Sequence, residues 1–395
     1  MNPTIALAGN AGPDVRSDCQ VQLEIRNSGG LDVVIESKVK ALYGESIRET
    51  CLEVLHFFEI GHAVLKITDN GALPFVIAAR VEAALASLMP ISKEFWMPSV
   101  PEANNKTTRD RFRLTRLYLP GNTPKLMLNA GIHNPDGIIL DLEDSVAPEK
   151  KHEARYLVRN ALRQVNFFHA ERMVRINQLP MGLDDLKFVI PHYVNMILVP
   201  KCQTPQQIME MEEAIGQLRK IHGIDYDIYY MPIIENALGV ENAFQIATAS
   251  PNIVAMAIGL EDYTSDMGVS RTAEGTESFY ARTRIVNACK AAGIQPIDSV
   301  YSDVDNMEGL RRNCLQSKAL GFEGMGCIHP RQISVIRKGF MPTELEVAKA
   351  QKIVAAYEEA RAKGLGVVSL GSKMIDAPVV KRALSILEQA RQMAS

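Results

Sequence analysis

The sequence predicts an α/β chain: a (β/α)8 TIM barrel, preceded by a small α+β domain and followed by a helical extension. Three observations carry this. Eight short apolar runs alternate with longer stretches of helical period between residues 116 and 330, the count and order of an eight-stranded barrel. A segment poor in apolar residues, PSVPEANNKTTRD, interrupts the chain near residue 100 with linker composition. Two further amphipathic stretches follow the eighth run, where a barrel wall has no place for them.

Before the seam, CQVQLEIR and LDVVIES alternate apolar and polar residues around Asn-Ser-Gly-Gly, which predicts a hairpin turning at Ser28–Gly30. SIRETCLEVLHFFEI has helical spacing, HAVLKITDNGAL is a strand ending in an Asn-Gly turn, and PFVIAARVEAALASLM is a second helix. Residues 1–90 thus form one domain and 91–112 a linker. The barrel strands are expected in RLYLPG, GIILDLED, MVRIN, MILVPK, IYYMPIIE, IVAMAIGLED, IQPIDSVY and EGMGCIHP, within a domain spanning 113–342. An open doubly wound sheet is the rival, but it usually opens with a Gly-rich turn, and no G-x-G-x-x-G is present. Residues 343–395, with ELEVAKAQKIVAAYEEARAKG and MIDAPVVKRALSILEQARQM as helices, form the extension, expected to cap the barrel or to reach a neighbouring subunit.

Charge and composition exclude several functions. The formal net charge is −3, so no basic surface for nucleic acid is expected. Residues 1–90 hold seven Lys/Arg against eleven Asp/Glu, a net −4. The six cysteines are scattered without a Cys-x-x-Cys pair, which argues against a zinc knuckle or redox dithiol and for reduced thiols in the cytoplasm. No secretory signal and no membrane-length apolar run is visible.

Active sites of this fold form where barrel strands end. Seven of the eight runs end in or contain an ionisable residue: Asp141, Glu143 and Asp144; Arg175; Lys201; Glu235; Glu261 and Asp262; Asp298; His329. Any one of these is most simply the first solvated loop residue; their convergence on one rim is the functional signal. Crowded carboxylates repel unless a cation lies among them. Glu235 and Asp262, on adjacent strands, are candidates for one hard cation, and Mg²⁺ suits two carboxylates plus water and substrate oxygens. Arg175, on a strand, needs an anionic partner, which a carboxylate or enolate substrate would supply. By residues alone, the reading is a metal-assisted enolate enzyme.

These strand ends resemble the citrate lyase β-subunit family, the citryl-, malyl- and citramalyl-thioester lyases of the HpcH/HpaI aldolase superfamily. RLYLPGN is similar to its opening strand, and DGIILDLEDSVAPEKKHEAR to its acidic second-strand segment. VRIN, VPK, PIIENALG, IGLEDYTSDMG, GFEGMGCIHPRQI and KMIDAPVV follow in the family's order, so the resemblance spans about 113–392. The family's opening strand often begins Arg-Ser; Leu114-Thr115 stand here, and no role is carried over to Arg113 or Arg116. Residues 4–88 resemble the citrate lyase γ-subunit, an acyl carrier protein, through ALAGNAG and DNGALPFVIAARVEAAL.

The resemblance implies metal ligands at Glu235 and Asp262, a substrate arginine at Arg175, and an acid/base aspartate at Asp376 supplied by a neighbouring subunit. Glu143 and Lys201, with Asp141 and Asp144, are implied around the metal water, Lys201 and Glu143 also against substrate. Ser17 is the implied attachment point for a phosphopantetheine-type arm, although it directly precedes Asp18 where the family's serine stands two residues before its aspartate. The expected reaction is Mg²⁺-dependent cleavage of a 3-hydroxyacyl thioester, on CoA or a carrier, into a 2-oxo acid and an acyl thioester. A homo-oligomer (trimer or hexamer) and a separate α-subunit transferase are the implied partners. Alternatives are a metal-dependent 2-oxo-acid aldolase using no thioester, and a non-catalytic subunit of a lyase complex.

Overall fold

A computed structural model of the chain describes residues 5–362, 368–370 and 373–394. It divides into two compact units, one ending at Ile333 and one beginning at Ser334.

The first unit opens with a four-stranded sheet of β1 (Ile5–Gly9), β2 (Cys19–Ile25), β3 (Leu31–Ser37) and β4 (Ala63–Asp69), in the order β1-β2-β4-β3. The expected hairpin is not formed. β4 lies between β2 and β3, antiparallel to one and parallel to the other. The reason is the helix Lys40–Phe57 between β3 and β4, which makes the crossover a parallel pair requires. The turn residues 28–30 only redirect the chain. β1 went unread because five residues with one polar flank give little period. Helix Pro74–Leu88 is buried along nearly its whole length because one side faces this sheet and the other faces helix Lys151–Gln164 of the barrel.

Eight parallel strands follow: β5 (Thr115–Pro120), β6 (Gly137–Asp141), β7 (Glu171–Arg175), β8 (Met196–Val199), β9 (Tyr229–Ile234), β10 (Ala255–Ile258), β11 (Gln295–Ile297) and β12 (Met325–Cys327). β12 pairs with β5, and a bridge from Asp298 to Met325 joins the last edges, so the sheet closes into the expected (β/α)8 barrel. The interior is filled by Ile139, Met173, Met196, Leu198, Met231, Ile233 and their neighbours. Uninterrupted apolar runs are what strands buried on both faces require.

Residues 91–112 lie against the barrel. The guanidinium of Arg113, fully buried, pairs with Glu171 at 2.7 Å, and that of Arg172 donates to the carbonyls of Glu102 and Asn105. These contacts fall at the strands' N-terminal ends, away from the rim where the site forms.

In the second unit, helices Glu344–Ala362 and Ala377–Ala394 pack together, and β13 (Val368–Leu370) pairs antiparallel with β14 (Lys373–Ile375). Among the described residues no helix is long and apolar enough to cross a membrane. All six cysteines are free and buried.

Candidate active site

The C-terminal ends of the barrel strands surround a cavity of about 320 Å³, lined by Arg116, Tyr118, Asp141, Arg175, Glu235 and Asp262 among others. Asp141 and Arg175 are the last residues of β6 and β7, Glu235 directly follows β9, and Lys201 stands two residues beyond β8.

Glu235 follows β9 and is only 5% exposed. Burial pushes its carboxyl up to about 8; the Lys201 backbone N–H (2.8 Å) and the charge of Arg175 pull it down, while Glu143 and Asp262 push it up further. Lys201 holds a left-handed backbone, φ 46°, as it donates that N–H, a conformation L-residues adopt sparingly. Gly259 is required opposite: a Cβ there would sit 2.6 Å from Glu235 Oε1.

Asp262 departs from expectation. β10 ends at Ile258, and Asp262 lies in the first turn of helix Leu260–Asp266. Gly259 breaks the strand, and Ser299 Oγ accepts the N–H of Leu260 as the helix starts. The side chain of Asp262 is 43% exposed and lies 3.8 Å from Lys201 Nζ. Its charge still raises Glu235, so the two carboxylates share one electrostatic environment.

The cations beside them are already engaged. Arg175 donates from Nε and Nη2 to Asp141 at 2.7 Å each, lies 2.9 Å from Glu143 Oε2, and sits over the Tyr118 ring. The Glu143 contact is an ion pair without hydrogen-bond alignment. Burial pulls the Arg175 guanidinium down, but the bonds and charge of Asp141 outweigh it and hold it above its usual range. Asp141 is held below its usual range because Arg175 outweighs its own burial. Lys201 Nζ reaches Glu143 at 3.0 Å and Asp144 at 3.3 Å, and its ammonium is raised by these acids against a burial that lowers it. Glu143 is raised, chiefly by burial.

Thus Arg175, Lys201, Glu143, Asp141 and Asp144 form one network beside the Glu235–Asp262 pair. The other rim charges serve the scaffold. Asp298 is bound to Arg282 and Ser317 in the wall, Glu261 pairs with Arg271, and His329 Nδ1 accepts the Arg331 N–H where helix Pro330–Phe340 begins. Asp376 precedes helix Ala377–Ala394, and its Oδ1 accepts the Val379 N–H at 3.2 Å, the bond of a helix N-cap. Tyr118, Ser299 and Gly259 were missed in the sequence. Only Gly259, directly before Leu-Glu-Asp, left a signal.

Does a divalent cation fit here? Glu235 accepts one hydrogen bond and faces two further acids, while both nearby cations are bound to other carboxylates. A carboxyl buried under this much negative charge ionises readily only with a cation against it. Among the described residues no group of three or more His, Cys, Asp or Glu is placed to hold a metal ion by itself. Water and substrate oxygens would therefore have to complete the shell of a Mg²⁺ held by Glu235 and Asp262.

A family model described as HpcH/HpaI aldolase/citrate lyase matches residues 114–330. The chain belongs to this family. Among its relatives, the citrate lyase subunit beta of Leuconostoc mesenteroides subsp. cremoris is 40% identical over 71% of this chain and 94% of that one. The mitochondrial citramalyl-CoA lyase of Homo sapiens is 31% identical over 68% of this chain and 82% of its own. The structure of CitE from Mycobacterium tuberculosis in complex with magnesium, acetoacetate and coenzyme A aligns with TM-score 0.59 and 28% identity, over 72% of this chain and all of that one. The chain is a carbon–carbon lyase of this family. Residues 6–88 match a second model, described as malonate decarboxylase delta subunit (MdcD), in keeping with an acyl-carrier-like domain.

Proposed function

We propose that this enzyme cleaves a 3-hydroxyacyl thioester of the citryl, citramalyl or malyl type into a 2-oxo acid and an acyl thioester, with Mg²⁺ bound by Glu235 and Asp262. The observation that carries it is Glu235 itself: a buried carboxyl with one hydrogen bond, lining the cavity together with Asp262 while Arg175 and Lys201 are bound to other acids. The magnesium, acetoacetate and coenzyme A bound together by the M. tuberculosis protein support a metal and a coenzyme A group in this fold. The names of the lyases above support the reaction class.

When bound, Mg²⁺ supplies Lewis-acid stabilisation of negative charge on substrate oxygens. The chain supplies the rest. Arg175, oriented by Asp141 and stacked over Tyr118, presents a fixed cation beside the charge that develops as the carbon–carbon bond breaks. Glu143 and Lys201 set the position of Arg175 and Asp262 and offer polar contacts to substrate. Asp376, from a neighbouring subunit, protonates the enolate carbon of the acyl product. This last role requires a homo-oligomer, and Asp376 must then serve as acid while capping its helix.

The test is formation of 2-oxo acid from citramalyl-CoA, malyl-CoA and citryl-CoA. Asp262→Ala is expected to lower turnover at least about a thousandfold and to remove metal dependence. Wild-type turnover that persists in excess chelator would overturn the metal assignment.

The N-terminal module bears on what holds the thioester. Arg80 joins it to the barrel: its guanidinium binds Asp18 at 2.9 Å, lies 3.3 Å from Glu153 and reaches the Asn122 carbonyl. Asn122 follows β5 and Glu153 lies in the first turn of the helix that follows β6, so the Ser17–Asp18 corner of the module is on the rim side. We propose Ser17 as the attachment point of an acyl arm that enters the cavity from this side. Intact mass of the protein from its native host decides this. A phosphopantetheine-type excess mapping to residues 1–90 is expected; an unmodified chain that turns over acyl-CoA assigns the thioester to CoA instead.

A further inference from the structure

Below the carboxylates, the cavity holds a guanidinium that the proposed chemistry does not use. Arg116 is the second residue of β5, lines the cavity, and is 2% exposed. With strands rising roughly 3.3 Å per residue, its Cα lies about 13 Å below Pro120 at the rim. The register places Gly137 of β6 and Gly326 of β12 directly beside it. Neither neighbour has a side chain to fill the space that Arg116 occupies. A Cβ on Gly137 would lie 3.3 Å from Arg116 Cγ, and one on Gly326 would lie 2.7 Å from Val300 Cγ1.

What Arg116 lacks is an anion. Nη1 donates to the Met231 thioether at 3.3 Å, a weak acceptor, and Nε has no partner. Among the described residues no carboxylate forms an ion pair with it. The acid that acts on it electrostatically, Asp136, already accepts both the N–H and the hydroxyl of Thr115. Asp298, in the same cavity wall, is bound to Arg282 and Ser317. The other charged influence, Arg113, has the same sign and is paired with Glu171. Burial draws the guanidinium down to about 10, which still leaves it charged at neutral pH. Of the other buried arginines of the unit, four meet a carboxylate (Arg80 with Asp18, Arg113 with Glu171, Arg159 with Glu82, Arg282 with Asp298), and Arg172 is satisfied by the carbonyls of Tyr193, Glu102 and Asn105. A buried, unpaired cation is destabilising until an anion reaches it, and a guanidinium matches a carboxylate in shape and charge.

We propose that Arg116 is a specificity-determining residue that binds a carboxylate at the deep end of the cavity, opposite Glu235 and Asp262. Resting on the lyase reading above, this selects hydroxyacyl thioesters whose oxo-acid half carries a second carboxylate. A cavity of about 320 Å³ has room for such a half.

The test compares two 2-hydroxy acids that differ by one carboxylate, L-malate and L-lactate, titrated calorimetrically into the full chain with Mg²⁺ and again with EDTA. Wild type is expected to prefer malate by at least about tenfold and to keep a malate preference in EDTA, because the deep contact does not depend on the metal. Arg116→Met is expected to bring the two affinities to within about twofold of each other, and Arg116→Lys to retain part of the difference. Equal affinity of wild type for both acids, or a malate preference that survives Arg116→Met, overturns the assignment. If the methionine variant does not fold, Arg116→Lys decides: a malate preference undiminished from wild type overturns the assignment. A chain that prefers malate yet forms no 2-oxo acid from any thioester overturns the lyase reading and upholds the anion subsite.

Discussion

Single residues decide this site by what they are denied as much as by what they bind. Glu235 has one hydrogen bond and no cation of its own, while Arg175 and Lys201, equally near in the chain's design, are bound to Asp141, Glu143 and Asp144. Gly259 keeps the Glu235 carboxylate where it is, since a Cβ would overlap Oε1. Its backbone, φ −109°, suits any residue, so Gly259→Ala tests the site without a backbone penalty. Activity should fall roughly a hundredfold, the usual consequence of moving a catalytic group by about 1 Å, and the Mg²⁺ concentration for half-activation should rise. Circular dichroism should be unchanged. Normal kinetics in this variant would mean that Glu235 is not held as described. At this scale the sequence was informative about identity and silent about pairing. Glu235, Asp262 and Arg175 could be named from strand ends, but Asp298, Glu261 and His329 looked the same and are scaffold. A charge after a strand reads identically whether its partner is a ligand or an arginine far along the chain.

At the scale of elements, two local misreadings share one cause. The turn at residues 28–30 carries a hairpin signal, yet β4, from residue 63, takes the place beside β2. Asp262 follows an apolar run, yet it belongs to a helix that begins at Leu260. Both depend on what the segment meets later. The same holds for the segment 91–112, whose polar composition reads as a tether but whose residues close on the barrel wall. Here His192 is fully buried between Arg163 and Glu94. Arg163 can only donate, so Nδ1 accepts and Nε2–H faces Glu94. Burial lowers this imidazole to about 4, with Glu94 opposing. The unfolded chain takes up its proton below about 6.5, the folded one only near 4. This contribution is therefore complete above pH 6.5 and is lost as pH falls through that window, by about 3 kcal/mol in all. Denaturant melts between pH 7 and pH 4 should show that loss in wild type and a shallower one in His192→Gln. Equal slopes would place the proton elsewhere.

For the whole molecule, the question is which chain completes which site. Asp376 belongs to the second compact unit, which begins at Ser334. If a neighbour supplies it, Asp262→Ala and Asp376→Ala are each inactive alone and complement when mixed and reassembled. Random pairing would restore about one quarter of the sites. No recovery, with assembly confirmed by light scattering, would place Asp376 in its own chain's site or in none.

The amino-acid sequence by itself determined the barrel, the small domain before it and the residue types at the rim. Those follow from short-range properties: apolar runs of strand length, helical period between them, and acids where the runs stop. Tertiary structure alone decided which charges are spent and which are available. Arg116 is the clearest case. Four arginines of similar burial find a carboxylate across the fold, and this one meets a thioether and two glycines. Nothing in RLTRLYLPG announces that difference, because a buried charge is defined by the strands beside and across from it.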